Sequence, residues 1–140
     1  MNREIKFRGW NSNLKKFVSC DEWFLDFKGN LFFYDLRDCG RLEPISKDLY
    51  IIQQFTGLKD KNGHEIFEGD IIEGRTFHYD DKIDDLVFSE IEKGHVWYIN
   101  GIWNVSFNHL YSESSCSLEK FDLYSATVIG NVLENPELLK

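Results

Sequence analysis

"GHVWYINGIWNVSF", residues 94–107, is the stretch on which the fold turns. Asn100-Gly101 separates two runs of β-branched and aromatic residues. A type I′ turn needs positive φ at both central positions, and Asn-Gly tolerates that well. A two-residue loop here sets Ile99 opposite Ile102 and Tyr98 opposite Trp103. Side chains alternate along a strand. Val96, Tyr98, Trp103, Val105 and Phe107 therefore share one face, which is expected to lie on a core. The other face carries Trp97, Ile99, Ile102, Asn104 and Ser106, and its first three residues are unusually apolar for a face in water. Either a second lobe covers that face or a partner does. Trp97, Ile99 and Ile102 are the candidate protein interface.

Upstream lies "FTGLKDKNGHEIFEGDII", residues 55–72. Asn62-Gly63 repeats the turn signal, and a second type I′ turn is expected there. Gly57 and Gly69 are expected to supply backbone angles that other residues resist. The predicted path is strand, loop, tight turn, short strand, turn, strand. Three ligand-binding readings fail on spacing. An EF-hand loop needs glycine at its sixth position, but the sixth residue from Asp60 is Glu65. A P-loop needs Lys and Ser/Thr after its second glycine, but Gly57 and Gly63 stand one residue too far apart and His64-Glu65 follow. A zincin needs a second histidine after His-Glu. Asp60, Asn62, Gly63 and Asp70 are therefore read as holding the fold.

The rest of the chain extends this pattern. "REIKFRGW" alternates, with Ile5 and Phe7 on one side and Lys6, Arg8 and Trp10 on the other. "NSNLKK" and "KGN" read as turns, so the first forty residues look like an antiparallel meander. Leu49 to Phe55 reads as a strand. "HYDDKIDD", residues 78–85, reads as a mobile acidic loop, with a weak cation site as the sharper alternative. "SESSCSLEKFDLYS" reads as a polar loop with one helical turn, and "ATVIGNVL" as a strand. Asn135 as N-cap, Pro136 and Glu137 begin a helix too short to exceed about a turn and a half. The expected fold class is mainly β, with antiparallel sheets in two lobes of a single domain, residues 1–54 and 55–140, and a short C-terminal helical turn.

Composition limits function. With 42% hydrophobic and 16% aromatic residues the 140-residue chain is too apolar to stay disordered. A net charge of −8 disfavours non-specific binding to phosphate backbones. No secretory h-region and no membrane-length apolar run are present, so a cytoplasmic location without membrane contact is expected. Cys20, Cys39 and Cys116 form no CxxC pair and read as reduced thiols. The four histidines, His64, His78, His95 and His109, could all sit in or near turns, and no G-x-S-x-G occurs. His78 with Asp80 and Asp81 is a weak metal pattern. No catalytic residue, metal ligand or cofactor is assigned, and a metal-dependent enzyme is the least favoured reading. The alternative to protein binding is nucleic-acid binding through the basic first strand. Lys6 and Arg8 would meet phosphates, Trp10 would stack on a base, and Arg3, Lys15 and Lys16 add charge against Glu4 alone. Weakening with salt is the test of that patch.

Three segments, "EIKFRGW", "QQFTGLKDKNGHEIFEGDII" and "VIGNVLENPELL", occur in this order and reach both ends of the chain. Together they resemble the signature of the YopX-like family of small bacteriophage and prophage proteins. The resemblance implies a β-rich fold and carries over no catalytic residue. It also implies a chain made in the cytoplasm of a bacterial host, where the partner is a host protein, a phage protein or a second copy of itself. From "EGDII" through the Asn100 hairpin to "VIGN" the strand sequence is similar to that of small SH3-like barrels, an analogy of fold alone.

Overall fold

A computed structural model describes residues 4–18, 23–26, 28–35, 41–46, 48–109 and 112–140, with backbone only at 33–35, 41–42, 108–109 and 112–114. Arg3, Cys20 and Cys39 lie outside the described residues. The fold is mostly β, with antiparallel sheets and short 3₁₀ turns. The chain divides into two compact units, one of Lys6–Gln53 and one of Gln54–Lys140 together with Glu4 and Ile5.

The first unit holds β1 (Phe7–Asn11), β2 (Lys16–Val18), β3 (Trp23–Leu25), β4 (Leu31–Asp35), β5 (Arg41–Pro44) and the start of β6 (Tyr50–Lys59). The expected single meander is instead two sheets. The order is β2-β1-β6 in one and β3-β4-β5 in the other. Asn11 causes the first reversal, because its Oδ1 accepts from the N–H groups of Asn13 and Leu14. Trp10 and Leu31 are buried, and the Trp23 ring meets Tyr50 edge-on at 4.4 Å. A Cβ on Gly9 would collide with the Trp23 ring, so this close approach requires glycine.

In the second unit, β6 continues beyond the expected Phe55 to Lys59 and pairs with β7 (Glu65–Phe67). Gly57 sits at φ 90° inside it, where the register between Phe55 and Lys59 shifts. Left-handed backbone of this kind is the usual seat of a bulge. The turn beyond β6 is not type I′. Gly63 takes φ 82° but Asn62 is not left-handed. The cause is Asp60. Its Oδ1 accepts from the N–H groups of Asn62 and His64. Its own N–H donates to the His64 carbonyl at 2.9 Å, and Gly63 N–H donates to the Asp60 carbonyl at 2.9 Å. A carboxylate that captures the loop's amides selects a turn closed by one glycine. The same four bonds recur at Asp26, which organises Lys28, Gly29 and Asn30 in the same way.

The main sheet has five strands, in the order β13-β12-β11-β8-β14, comprising β8 (Asp70–Gly74), β11 (Glu92–Ile99), β12 (Ile102–His109), β13 (Ser112–Ser117) and β14 (Thr127–Asn131). The Asn100 hairpin forms as expected, with Ile99 paired to Ile102, Tyr98 to Trp103 and Val96 to Val105. Asn100 and Gly101 take φ 53° and 85°. Ile66, Ile72, Val96, Val105, Phe107, Leu118, Phe121 and Ala126 form one buried cluster.

Two expected loops are strands. The acidic stretch is a hairpin of β9 (Phe77–Asp80) and β10 (Asp85–Phe88). Asp80 nucleates its turn by accepting from Lys82 N–H, and Phe77 pairs with Phe88 across its base, ring centroids 6.1 Å apart. The serine-rich stretch is β13, an edge strand on β12. Serine has little intrinsic strand preference, so the exposed ladder of β12 supplies the reason. A 3₁₀ turn at Leu118–Lys120 follows it. The chain closes with a second 3₁₀ turn, Pro136–Leu139. Asn135 precedes it without capping it, its Oδ1 accepting from Asn131 N–H instead.

Candidate functional site

The β11–β12 hairpin outruns the core. Val96 and Val105 are fully buried, but Tyr98 is 50% exposed, against the expectation that its whole face is covered. Ile99 and Ile102, at the turn, are 39% and 50% exposed. Trp103 lies between these regimes, half-buried against the core cluster. Its ring and that of Tyr98 are 4.8 Å apart at 56°, an open corner rather than a stack.

This corner forms part of a pocket of about 310 Å³. Thr56 and Leu58 come from β6. Ile102 and Gly101 come from the turn. Ser117, Leu118 and Glu119 come from the 3₁₀ turn after β13. Leu118 is buried at 1% and belongs to the core cluster. The hydroxyls are already engaged: Thr56 donates to the Ile66 carbonyl, and Ser117 accepts from Glu119 N–H. The Glu119 carboxylate is exposed and has no hydrogen-bond or ion-pair partner among the described residues.

The three interface candidates do not behave alike. Ile99 and Ile102 are open at the hairpin tip, and Ile102 also lines the pocket. Trp97 is half-buried further down β11, its Nε1 enclosed with no hydrogen-bond partner among the described residues. Two residues away on the same face, His95 Nδ1 is likewise enclosed with no hydrogen-bond partner among the described residues. Burial lowers the His95 pKa below the ordinary histidine value. His95 is therefore neutral in the fold, and its contribution is complete above about pH 6.5. It is lost as pH falls from there through the depressed folded value, because the unfolded chain binds the proton more readily. Stability measured by urea unfolding is expected to decline over this window. His95→Gln is expected to flatten the decline.

The nucleic-acid candidates are occupied. Trp10 is 5% exposed and meets Phe17 edge-on at 5.1 Å. Arg8 donates twice to Gln53 Oε1, at 3.0 and 2.9 Å, and lies over the Phe17 ring. Lys6 is half-buried. Stacking on a base would require Trp10 to leave its packing.

Among the described residues no group of three or more His, Cys, Asp or Glu side chains is placed to hold a metal ion. The Cys116 thiol is pushed up to about 11 by burial, with Glu92 adding to the effect and Lys120 opposing it. A thiol held there is a poor nucleophile at neutral pH. Among the described residues no helix is long and apolar enough to cross a membrane.

The family model described as "YopX protein" matches residues 6–140. The chain belongs to the YopX family. Two solved structures resemble it over nearly their whole lengths. Protein EF1440 from Enterococcus faecalis is 28% identical, with a TM-score of 0.58, covering 99% of this chain and 100% of its own. Protein yopX from Bacillus subtilis is 18% identical, with a TM-score of 0.56, covering 96% and 97%. The second likeness shows the YopX fold alone. A comparison with curated proteins gives no match.

Sequence reasoning paired Tyr98 with Trp103 but assigned both to the core, and it missed Leu58, Leu118 and Glu119. No periodic signal marks them. They meet only because the end of β6 and the turn after β13 converge on the hairpin tip.

Proposed function

We propose that this YopX-family chain works by binding a protein, without catalysis, through the tip of the β11–β12 hairpin. It acts in the cytoplasm of a bacterial host as a phage or prophage product, on a host protein, a phage protein or a second copy of itself. The observation that carries this reading is the exposure of Tyr98, Ile99 and Ile102 together at one tip beside a pocket. Aromatic and aliphatic side chains of this kind are what interface cores collect.

We also read the second unit as an SH3-like barrel. The path β8-β11-β12-β13 runs as a meander, and β14 returns after a 3₁₀ turn to pair with β8. That path supports the analogy and assigns no partner.

The test compares the wild-type chain with an Ile99→Asp/Ile102→Asp variant. Both positions face water, so the variant is expected to keep the wild-type melting temperature. Affinity capture from lysogenic or infected cells, with light scattering for self-association, is expected to show a partner or a dimer for the wild type and its loss in the variant. A complex that forms equally well with both chains, or a wild type that is monomeric with no enriched partner, refutes the reading.

A further inference from the structure

We propose that the pocket at the hairpin tip receives the guanidinium of an arginine from a basic segment of the partner protein. This rests on the protein-binding reading above and names the chemistry that the tip would recognise.

Three observations converge. The Tyr98 and Trp103 rings stand 4.8 Å apart at 56°, tilted rather than stacked, and both residues line the pocket. A cation is attracted to the face of an aromatic ring, most strongly to tryptophan. Glu119 lines the pocket from the 3₁₀ turn, and its exposed carboxylate has no partner among the described residues. Among the described residues no lysine, arginine or histidine lines the pocket. The chain as a whole carries a net charge of −8, so a basic segment is drawn toward it over longer range.

Size and shape favour arginine. About 310 Å³ lies at the small end of ligand pockets, enough for a side chain and not for a folded element. The guanidinium is planar, stacks on aromatic faces, presents a fork to a carboxylate and is less strongly hydrated than an ammonium. Thr56 and Ser117 offer only neutral hydroxyls that already hold bonds within the chain, so Glu119 is the charged acceptor that selects a cation.

The probe is a capped Gly-Arg-Ser repeat peptide, with a Gly-Glu-Ser peptide as its counterpart, titrated into the full ¹⁵N-labelled chain. The arginine peptide is expected to shift the Trp103 indole N–H and the Glu119 amide, with binding that weakens as salt is raised. Tyr98→Ala and Glu119→Gln both alter exposed groups and are expected to fold. Each is expected to weaken binding about three- to thirtyfold, and Glu119→Gln to flatten the salt dependence. Equal shifts with the glutamate peptide, shifts confined to other surfaces, or no shift at low salt overturn the proposal. If the captured partner still depends on Ile99 and Ile102 while the arginine peptide fails, the arginine assignment falls and the protein-binding reading stands. If the peptide binds while no partner or dimer depends on those isoleucines, the pocket chemistry stands and the proposed function falls.

Discussion

Asp60→Ala is expected to lower the stability of the second unit by about 3–4 kcal/mol. The Asp60 side chain has no exposed surface. Its Oδ1 accepts from Asn62 and His64 N–H at 2.8 and 2.9 Å. Its Oδ2 accepts from Val128 N–H at 3.0 Å and meets the His64 ring at 3.3 Å. Val128 lies 68 residues away, so one carboxylate shapes a loop and ties it to β14. Alanine removes every one of these acceptors. Asn62 and His64 are exposed and can turn to water, but the half-buried Val128 amide has less recourse. Asp60→Asn keeps one accepting oxygen and presents an N–H donor in place of the other, so an intermediate loss is expected.

The effect of pH separates charge from shape. Burial alone would raise the Asp60 pKa. The bonds from Val128, His64 and Asn62 N–H and from the His64 ring outweigh it, and the carboxyl is held below its ordinary value. The stabilisation is therefore fully present above about pH 4 and is lost as pH falls through the lowered value. Urea unfolding of wild type and Asp60→Ala is expected to differ most near neutrality and to converge in acid. A difference below about 1 kcal/mol at pH 7, or one that ignores pH, contradicts the assignment.

Phe121→Ala is expected to cost about 3–5 kcal/mol. Phe121 is 2% exposed and stacks on Phe107 with centroids 6.2 Å apart at 20°. It lies just beyond the 3₁₀ turn, where its N–H donates to the Leu118 carbonyl at 3.2 Å. Its ring fills the space above Gly74, where a Cβ would stand 2.5 Å from Phe121 Cε1. Truncation empties this site, and the surrounding strands cannot close on it without breaking their ladders. Phe121→Leu keeps most of the volume and is expected to lose about half as much. Denaturant midpoints at unchanged m-value are the measurement. A loss for alanine no greater than for leucine would show that the site collapses freely and that Phe121 is peripheral.

Both predictions fall on residues that motif reading treats poorly. Asp60 sits in the most motif-like segment of the chain, yet its carboxylate is spent on backbone amides. Asp26, Asp80 and Asp122 are spent in the same way, on the amides of their own turns. Part of the acidic composition is therefore turn chemistry. The sign of the net charge still bears on the proposed partner, because Glu119 and the solvated acids remain outside these turns.

The sequence by itself determined the strands that carry their own pattern. Asn100-Gly101 with alternating aromatics fixed one hairpin to the residue, because both turn angles and side-chain parity are local properties. Family membership was legible for a similar reason, since its three segments are contiguous runs. Tertiary structure decided the rest. β13 is a strand because β12 offers an unpaired edge, and no residue within it says so. Asn62 stays out of the left-handed region because a buried carboxylate two residues earlier claims its amide. The first forty residues split into two sheets because β1 finds β6, far along the chain. The pocket joins β6, a hairpin tip and a 3₁₀ turn, three pieces brought together only by closure of the sheet around its core. Periodicity describes one element at a time, whereas a binding site is a property of elements that meet.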